Sequence, residues 1–466
     1  MAGIALNSPP TLASLQQQGY LERAFHDGLF PNLAYRAEAM PEEWPAGTGQ
    51  QIFMTRPGLL PAVTSPIAPG ADPQPQQIPY EQWVATLNQY ASAIDTHMPT
   101  ATISNANTFL RNLKQLGLQA GQSINQVARN ALFQAYLSGQ TVTLTAPATT
   151  DTTLRVASCN GFTDVIIPGS NVAPQPVSAS YPLPIKIGSG TAAVSNSVIG
   201  VLQDNPSDVN GPGTLTLSVA VGSSAFGIRT TVKSTFAPLV VRSSPGDSVD
   251  AIAASDTLTI QQVINAVAFL RRANVQPHDD GFYHAHISPL AEAQFFADPV
   301  FQRLNQSLPE GVVYKQGFLG YMAGVMFILN NESPDATNSG TLTSTGTGGA
   351  QYASGIGGEV TNNSGVNIGQ VLITGRGAVY EKYLDESQFV TEAGTTGKTG
   401  EFDVVNNGIN ILTERIRLVL RAPLDRLQQV VSAAWSITTA FPVPSDITAP
   451  GGTQRYRRAV VLQYAS

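Results

Sequence analysis

Apolar positions along this chain follow two rhythms. Between Asn107 and Ser138 they recur in steps of three and four, at Phe109, Leu110, Leu113, Leu116, Ala120, Ile124, Val127, Ala128, Ala131, Leu132 and Ala135. That spacing marks one buried helical face. Asn107 or Thr108 can cap its start and Gly139 can end it. About thirty residues at 1.5 Å each predict a rod of roughly 45 Å. Beyond Gln140 the rhythm changes to short alternating runs between turn clusters. The candidate strands are Thr141–Ala146, Thr153–Ala157, Val165–Ile167, Pro184–Ile187, Thr214–Val221, Gly227–Lys233 and Leu239–Arg242. Short strands at this spacing predict an all-β sandwich or barrel over 141–255, set into a larger α+β chain.

Helical steps return at Ile260, Val263, Ile264, Val267 and Leu270, with Thr259 and Gln262 as a capping box. A strand at Tyr283–Ile287 ends on Ser288 and Pro289, and a short helix around Leu290–Leu304 and a strand at Gly324–Leu329 follow. Further strands are expected at Gln370–Thr374, Glu414–Leu420, Val430–Ile437 and Arg458–Tyr464. The stretch Gly346–Gly358 is rich in glycine and poor in bulky residues, so a mobile surface loop is expected there.

Ahead of the long helix the chain lacks a core of its own. Residues 1–48 read as an extended arm, broken by Pro9, Pro10, Pro31, Pro41 and Pro45, with a short helix at Leu15–Ala24. Residues 49–98 read as a long hairpin-like loop with strand-like flanks at Gln51–Thr55 and Trp83–Tyr90. Between those flanks fall Pro57, Pro61, Pro66, Pro69, Pro73, Pro75 and Pro79, which make a stiff excursion and not an inner strand. Such a loop is suited to reaching across a neighbour, with Phe53, Met54 and Trp83 as the apolar side chains to be buried there.

Composition sharpens that picture. Charged residues are 12% of the 466, against a usual ~25%. A surface so neutral suits a chain covered by neighbouring subunits, and a secreted or surface β-protein has a similar composition. The net charge of −7 argues against a dedicated nucleic-acid grip, and the densest basic run, Arg455 to Arg458, is short. Lone Cys159 excludes an internal disulfide framework and fits a reducing compartment. Met1–Leu15 has neither the basic residues nor the apolar core of a signal peptide, so a soluble, unexported chain is expected. The longest apolar stretch, Gly320–Leu329, is too short for a membrane span.

No motif of catalysis survives inspection. His284 and His286, two apart on one strand, share a face and could chelate a metal, but no third ligand stands at a characteristic spacing. Histidines packed at a strand end, after the turn of His278, Asp279 and Asp280, are the preferred reading. The run Gly394–Thr399 is similar to a phosphate loop, yet Glu392 stands where its first glycine belongs. Gly375 and Gly377 begin a dinucleotide-like pattern that Tyr380 ends. Cys159 has no histidine near it in sequence and is expected to be structural. Catalytic, cofactor and metal residues are therefore expected to be none.

The order of parts resembles the major capsid protein of tailed bacteriophages, the Hong Kong 97 type of shell fold. Tyr283–Pro289 resembles the strand ending in proline of that family's axial domain, and Gly317–Gly320 with Gly324–Ile328 resembles the strand region after it. Val371–Gly375 resembles a later hydrophobic strand, and Pro423–Arg426 leading to Val430 and Trp435 resembles the return to the peripheral domain. The resemblance implies an arm (1–48), an extended loop (49–98), a spine helix (99–140), an inserted all-β domain (141–255), an axial domain (256–375), and peripheral return strands with a C-terminal tail (376–466). It also implies assembly as hexamers and pentamers of an icosahedral shell around double-stranded DNA that is enclosed without specific binding. Scaffold, portal and decoration proteins would be partners, and the location would be the virion after synthesis in host cytoplasm. Two departures stand out. The first lysine of the chain is Lys114, so the loop has none for the covalent weld some family members make. The all-β segment is an addition. An extracellular or tail-associated β-rich adhesin or spike is the alternative reading, and an enzyme would need a metal at His284 and His286.

Overall fold

The computed structural model describes the chain apart from residues 1–22, 26, 28, 30–33, 46, 58–59, 61–62, 69, 74, 77, 79, 98–107, 167–172, 223–225, 245, 307–319, 346–347, 386–401, 404–407, 414, 422–428 and 447–454. Most of the expected arm, its short helix and the Gly394–Thr399 run thus lie outside the described residues. The fold is mixed α+β. Its contacts divide into two compact units, Met1–Ile52 with Ala85–Ala128 and Tyr380–Pro442, and Phe53–Val84 with Arg129–Val379 and Val443–Ser466.

The long helix belongs to the first unit up to Ala128. That helix, α1, runs over Thr108–Tyr136 for 29 residues, about 43 Å at 1.5 Å per residue. Its apolar stripe is buried at Leu113, Leu116, Ala120, Ile124 and Ala128, as the periodicity requires. Asn125, also buried, accepts a hydrogen bond from the Tyr35 amide at 2.7 Å. A seven-stranded sheet runs in the order β1 (Ala39–Glu43), β21 (Val379–Tyr383), β25 (Val430–Ala440), β24 (Ile416–Arg421), β23 (Gly408–Thr413), β22 (Phe402–Asp403), with β4 (Asn88–His97) also paired to β25. β4 and β25 are antiparallel from Asn88 opposite Thr439 to His97 opposite Val430. Glu381 is buried between Arg36 at 2.7 Å and Arg415 at 2.8 Å, which gives its charge two partners inside the fold.

The second unit contains a six-stranded mixed sheet in the order β13 (Val240–Arg242), β26 (Ala459–Ala465), β20 (Ile368–Thr374), β14 (Tyr283–Ile287), β16 (Val325–Leu329), β15 (Tyr321–Met322). Helices α2 (Ile260–Arg272) and α3 (Pro289–Ala297) share one core with it: Val263, Val267 and Leu270 with Phe295, Ile287, Ile373 and Leu462. α4 (Pro299–Gln306) adds Phe301 to that core. The ends of these helices follow from the sequence. The Gln262 side-chain oxygen accepts from the Thr259 amide at 3.2 Å, and Ser288 Oγ accepts from the Ala291 amide at 3.1 Å with Pro289 in the first turn. Every residue of β20 and β26 is buried, polar Gln370, Thr374 and Gln463 included, as in strands covered on both faces.

A second six-stranded sheet is wholly antiparallel, in the order β5 (Gln140–Val142), β12 (Thr231–Ser234), β9 (Leu183–Ile187), β10 (Val194–Gln203), β11 (Gly213–Leu217), β6 (Thr153–Val156). Its outer strands also meet. Thr143 bridges Val156, the Leu144 amide donates to Arg155 O at 2.8 Å, and the Ala157 amide donates to Val142 O at 3.0 Å. The sheet therefore closes on itself as a barrel, which removes its edges. Leu154, Val156, Cys159, Leu183, Ile185, Ile187, Leu215 and Val232 fill the interior. A small ribbon of β7 (Asp164–Val165) and β8 (Gln175–Pro176) lies beside it in sequence.

Three expectations need correction. Leu239–Arg242 was expected in the all-β segment, but β13 pairs in parallel with β26 in the mixed sheet, Val240 opposite Val461. The longest strand of the barrel, β10, was not expected at all. The glycine-rich stretch from Gly346 is no surface loop over its described length: β17 (Leu342–Ser344), β18 (Gln351–Ala353) and β19 (Gly358–Thr361) form a sheet, with Ala350, Tyr352, Ala353 and Ile356 buried. Glycine serves there for the turns, at Gly348, Gly349 and Gly357 with positive φ, while one tyrosine supplies the packing.

Candidate assembly surface

Strands β2 (Gln51–Pro57) and β3 (Tyr80–Thr86) form a ribbon of two strands that joins no larger sheet among the described residues. A two-stranded ribbon has too little buried surface to be independently stable in water. In β2 exposed and half-buried positions alternate and none is buried. In β3 the alternation has an inner face, with Glu81, Trp83 and Ala85 buried. Seven of the sixteen exposed large apolar side chains among the described residues lie from Phe53 to Val84. They include Val63 at 72% and Phe53 at 57% exposure, followed by Ile67 and Leu60. Scattered apolar side chains on a surface are ordinary, whereas a concentration of them on one excursion makes it a candidate contact surface.

The ribbon is pinned at its base by charge. Arg56 reaches Asp446 at 2.5 Å, and Arg458 Nε donates to the same carboxylate at 2.8 Å. Glu81 accepts from the Asp446 amide at 3.1 Å and from Ser445 Oγ at 3.4 Å. Burial pushes the Asp446 carboxyl up to about 7, against the pull of Arg56 and with the push of neighbouring Glu81. The chain at Asp446 has a φ of 51°, a left-handed conformation that aspartate tolerates better than most side chains.

Of the apolar residues expected to meet a neighbour, Phe53 is exposed and Met54 half-buried, but Trp83 is 7% exposed and already spent inside its own chain. It sits on the inner face of β3 between Glu81 and Ala85, a consequence of strand alternation that spacing alone did not orient. Sequence reasoning also missed the polar base, since Arg56 and Asp446 are 390 residues apart. A second exposed group, Leu290, Val300, Tyr321 and Leu329, lies on the helices and outer strands of the mixed sheet.

The enzyme-like candidates resolve differently. His284 stacks on His278, ring centroids 4.0 Å apart and planes 7° from parallel, and its Nε2 lies 2.9 Å from Asp280 Oδ2. His278 Nε2 lies 3.2 Å from Thr374 Oγ1, and His286 is fully buried in β14. The close neighbour of His284 is thus His278, brought round by the turn, and not His286. Cys159 is buried in the barrel core and burial pushes its thiol up to about 11, which keeps it protonated and unreactive. Gly375 and Gly377 lie in the turn from β20 to β21, strand to strand, with no helix behind them to form a dinucleotide site. No helix among the described residues is long and apolar enough to cross a membrane.

No protein-family model and no curated protein matches the chain. Among solved structures it is similar to the capsid of the cyanophage P-SCSP1u, at 10% identity and a TM-score of 0.47, covering 92% of this chain and 86% of that one. It is similar to the acid-stable capsid of Helicobacter pylori bacteriophage KHP30 at 8% identity and a TM-score of 0.47, covering 93% and 91%. The capsid of Ralstonia phage GP4 matches at 11% identity and a TM-score of 0.45, covering 94% and 90%. At these identities no residue's role passes from one chain to another. The three are structures of phage capsids.

Proposed function

We propose that this chain is a major capsid protein, a structural subunit and not an enzyme, whose copies tile the icosahedral head of a tailed phage around packaged double-stranded DNA. The observation that carries this reading is the β2–β3 ribbon, which exposes a run of apolar side chains and has no sheet of its own to join. Each ~1,000 Å² of largely apolar surface buried on assembly contributes a few kcal/mol after ordering costs, and this stabilisation multiplies over a shell. The low charge of the chain agrees, because charged groups in interface cores must be desolvated.

In this reading the fold is of the Hong Kong 97 type. Residues 1–48 are an arm, 49–98 the extended loop, α1 the spine, 256–375 the axial region, and 376–466 the peripheral return with the C-terminal tail. The closed barrel is the inserted domain, and its limits support that: the Ser234 amide donates to Gly139 O at 2.8 Å, so the chain enters and leaves it at adjacent points. Shell hexamers and pentamers are the partners in kind, the virion is the location, and the enclosed DNA needs no specific contact. Electron microscopy of the purified full chain, concentrated under assembly conditions, tests this reading. Closed shells or capsomer rings are expected. A chain that stays monomeric in every condition, and is absent from phage heads, overturns it.

A further inference from the structure

The second unit contains a cavity of about 280 Å³ against the outer wall of the barrel. Its chemistry is set by strand register. β9 and β12 are antiparallel neighbours, and their register places Lys186 directly opposite Lys233. On the other side of β12, Gln140 stands opposite Lys233. Residues opposite one another share a face, and the alternate positions Ile185, Ile187 and Val232 fill the barrel core. The row of Gln140, Lys233 and Lys186 therefore points outward into the cavity, which all three line.

Arg242 adds a third cation to this wall. Its guanidinium is fixed by three neutral oxygens: Gln140 Oε1 at 3.0 Å, Gln463 Oε1 at 3.0 Å and Asp247 O at 2.9 Å. Its positive charge is oriented but not neutralised by these bonds. Neither lysine ammonium makes a hydrogen bond or ion pair among the described residues. Of the two carboxylates lining the cavity, Glu359 is taken by Arg229 at 2.7 Å, and Arg229 also holds Asp250. Asp247 is left, exposed at the mouth. Three cations thus line the cavity, and two carboxylates act on them: Asp247 on Arg242 and Lys233, and Glu359, which shares Arg229 with Asp250, on Arg242. Burial, then Arg242, then Lys186 act to strip the proton from Lys233, and only Asp247 opposes them.

Like charges directly opposite one another on neighbouring strands destabilise a sheet, so this register needs a compensating group. We propose that the cavity is a binding site for a small oxyanion of the phosphate class, held by Lys233 and Arg242 from within and by Lys186 at the mouth. Charge-assisted hydrogen bonds from a fixed guanidinium and two ammonium groups match such an anion's several acceptor oxygens. The Thr231 and Ser248 side chains on the same wall can add hydroxyl donors. The site's small volume, with Lys233 half-buried and only Lys186 exposed, fits a compact ion and not a polymer.

The test uses the full chain and inorganic phosphate, by calorimetric titration and by thermal unfolding, with sodium chloride at matched ionic strength as reference. A saturable rise in unfolding temperature with phosphate, absent with chloride, is expected. K233M should weaken phosphate binding at least about tenfold, the scale of one lost charge-assisted bond. In chloride K233M should unfold no lower than wild type, since it relieves the opposed charges. K186M, changed at an exposed position, reads the same site with a smaller loss and serves if K233M does not fold. A wild-type response equal in phosphate and chloride overturns the proposal, as does an undiminished phosphate response in both variants. Equal stabilisation by a dicarboxylate that competes with phosphate overturns the assignment to the phosphate class.

Discussion

Arg229 shows how one residue can bind together segments that the sequence keeps far apart. It stands at a φ of 63° and donates to Asp250 at 2.7 and 2.8 Å and to Glu359 at 2.7 and 2.8 Å. Burial pushes the Glu359 carboxyl up to about 7 from an ordinary 4.5, with Asp250 adding to the push and Arg229 and Arg242 pulling against it. Between those two values the folded chain keeps a proton on Glu359 that the unfolded chain releases. Stability therefore falls as pH rises through that window, and the loss is complete above about 7. E359Q has no such proton, so its stability should drop less than the wild type's between about pH 5 and about pH 8, by on the order of 1–3 kcal/mol. Urea unfolding at both pH values measures this. Parallel changes in the two proteins would remove Glu359 from the account. Asp446, whose carboxyl is also raised to about 7, contributes equally to both.

Among the elements, α1 was the most legible, because its eleven apolar positions state their own geometry over 29 residues. One residue inside it was not explained by periodicity. A glycine in a helix interior ordinarily costs about 1 kcal/mol relative to alanine, yet Gly117 sits mid-helix. A Cβ at that position would run into the backbone carbonyl of Phe25, so the glycine permits close approach of another segment of the first unit. G117A should therefore destabilise the protein by about 1–2 kcal/mol in chemical denaturation, opposite to its effect in an exposed helix. A G117A protein as stable as wild type would show that the Phe25 segment yields. The strand β10 escaped notice for the converse reason. Its ten residues include serine, asparagine and glycine, and only Val198 is buried. It is held by ladders to β9 on one side and β11 on the other, and those partners leave no local mark.

At the scale of the whole molecule, the exposed run from Phe53 to Val84 and the scarcity of charge both fit the proposed shell subunit, whose surface neighbours would cover. Deleting residues 58–79 and joining β2 to β3 by a short glycine turn should leave circular dichroism and the unfolding midpoint close to wild type, since no described residue of that stretch belongs to the buried apolar core. Shell formation should fail, or give particles that dissociate in gel filtration. Normal, stable shells from this deletion would overturn the assignment of the loop. The sequence located this excursion by its prolines and strand-like flanks. It did not show that Trp83 turns inward, or that Arg56, Glu81, Asp446 and Arg458 clamp the base.

By itself the chain's order of residues determined what repeats at short range. The long helix α1, the caps at Thr259 and Ser288, and most short strands depend on spacings of two to four residues and on backbone bonds close at hand. Tertiary structure alone decided which strands pair. It closed the barrel at Thr143 and Val156, drew Val240 to Val461, and set Lys186 against Lys233. Such contacts join residues from 13 to more than 200 positions apart, and a strand's own alternation names the face it buries without naming the neighbour it will find.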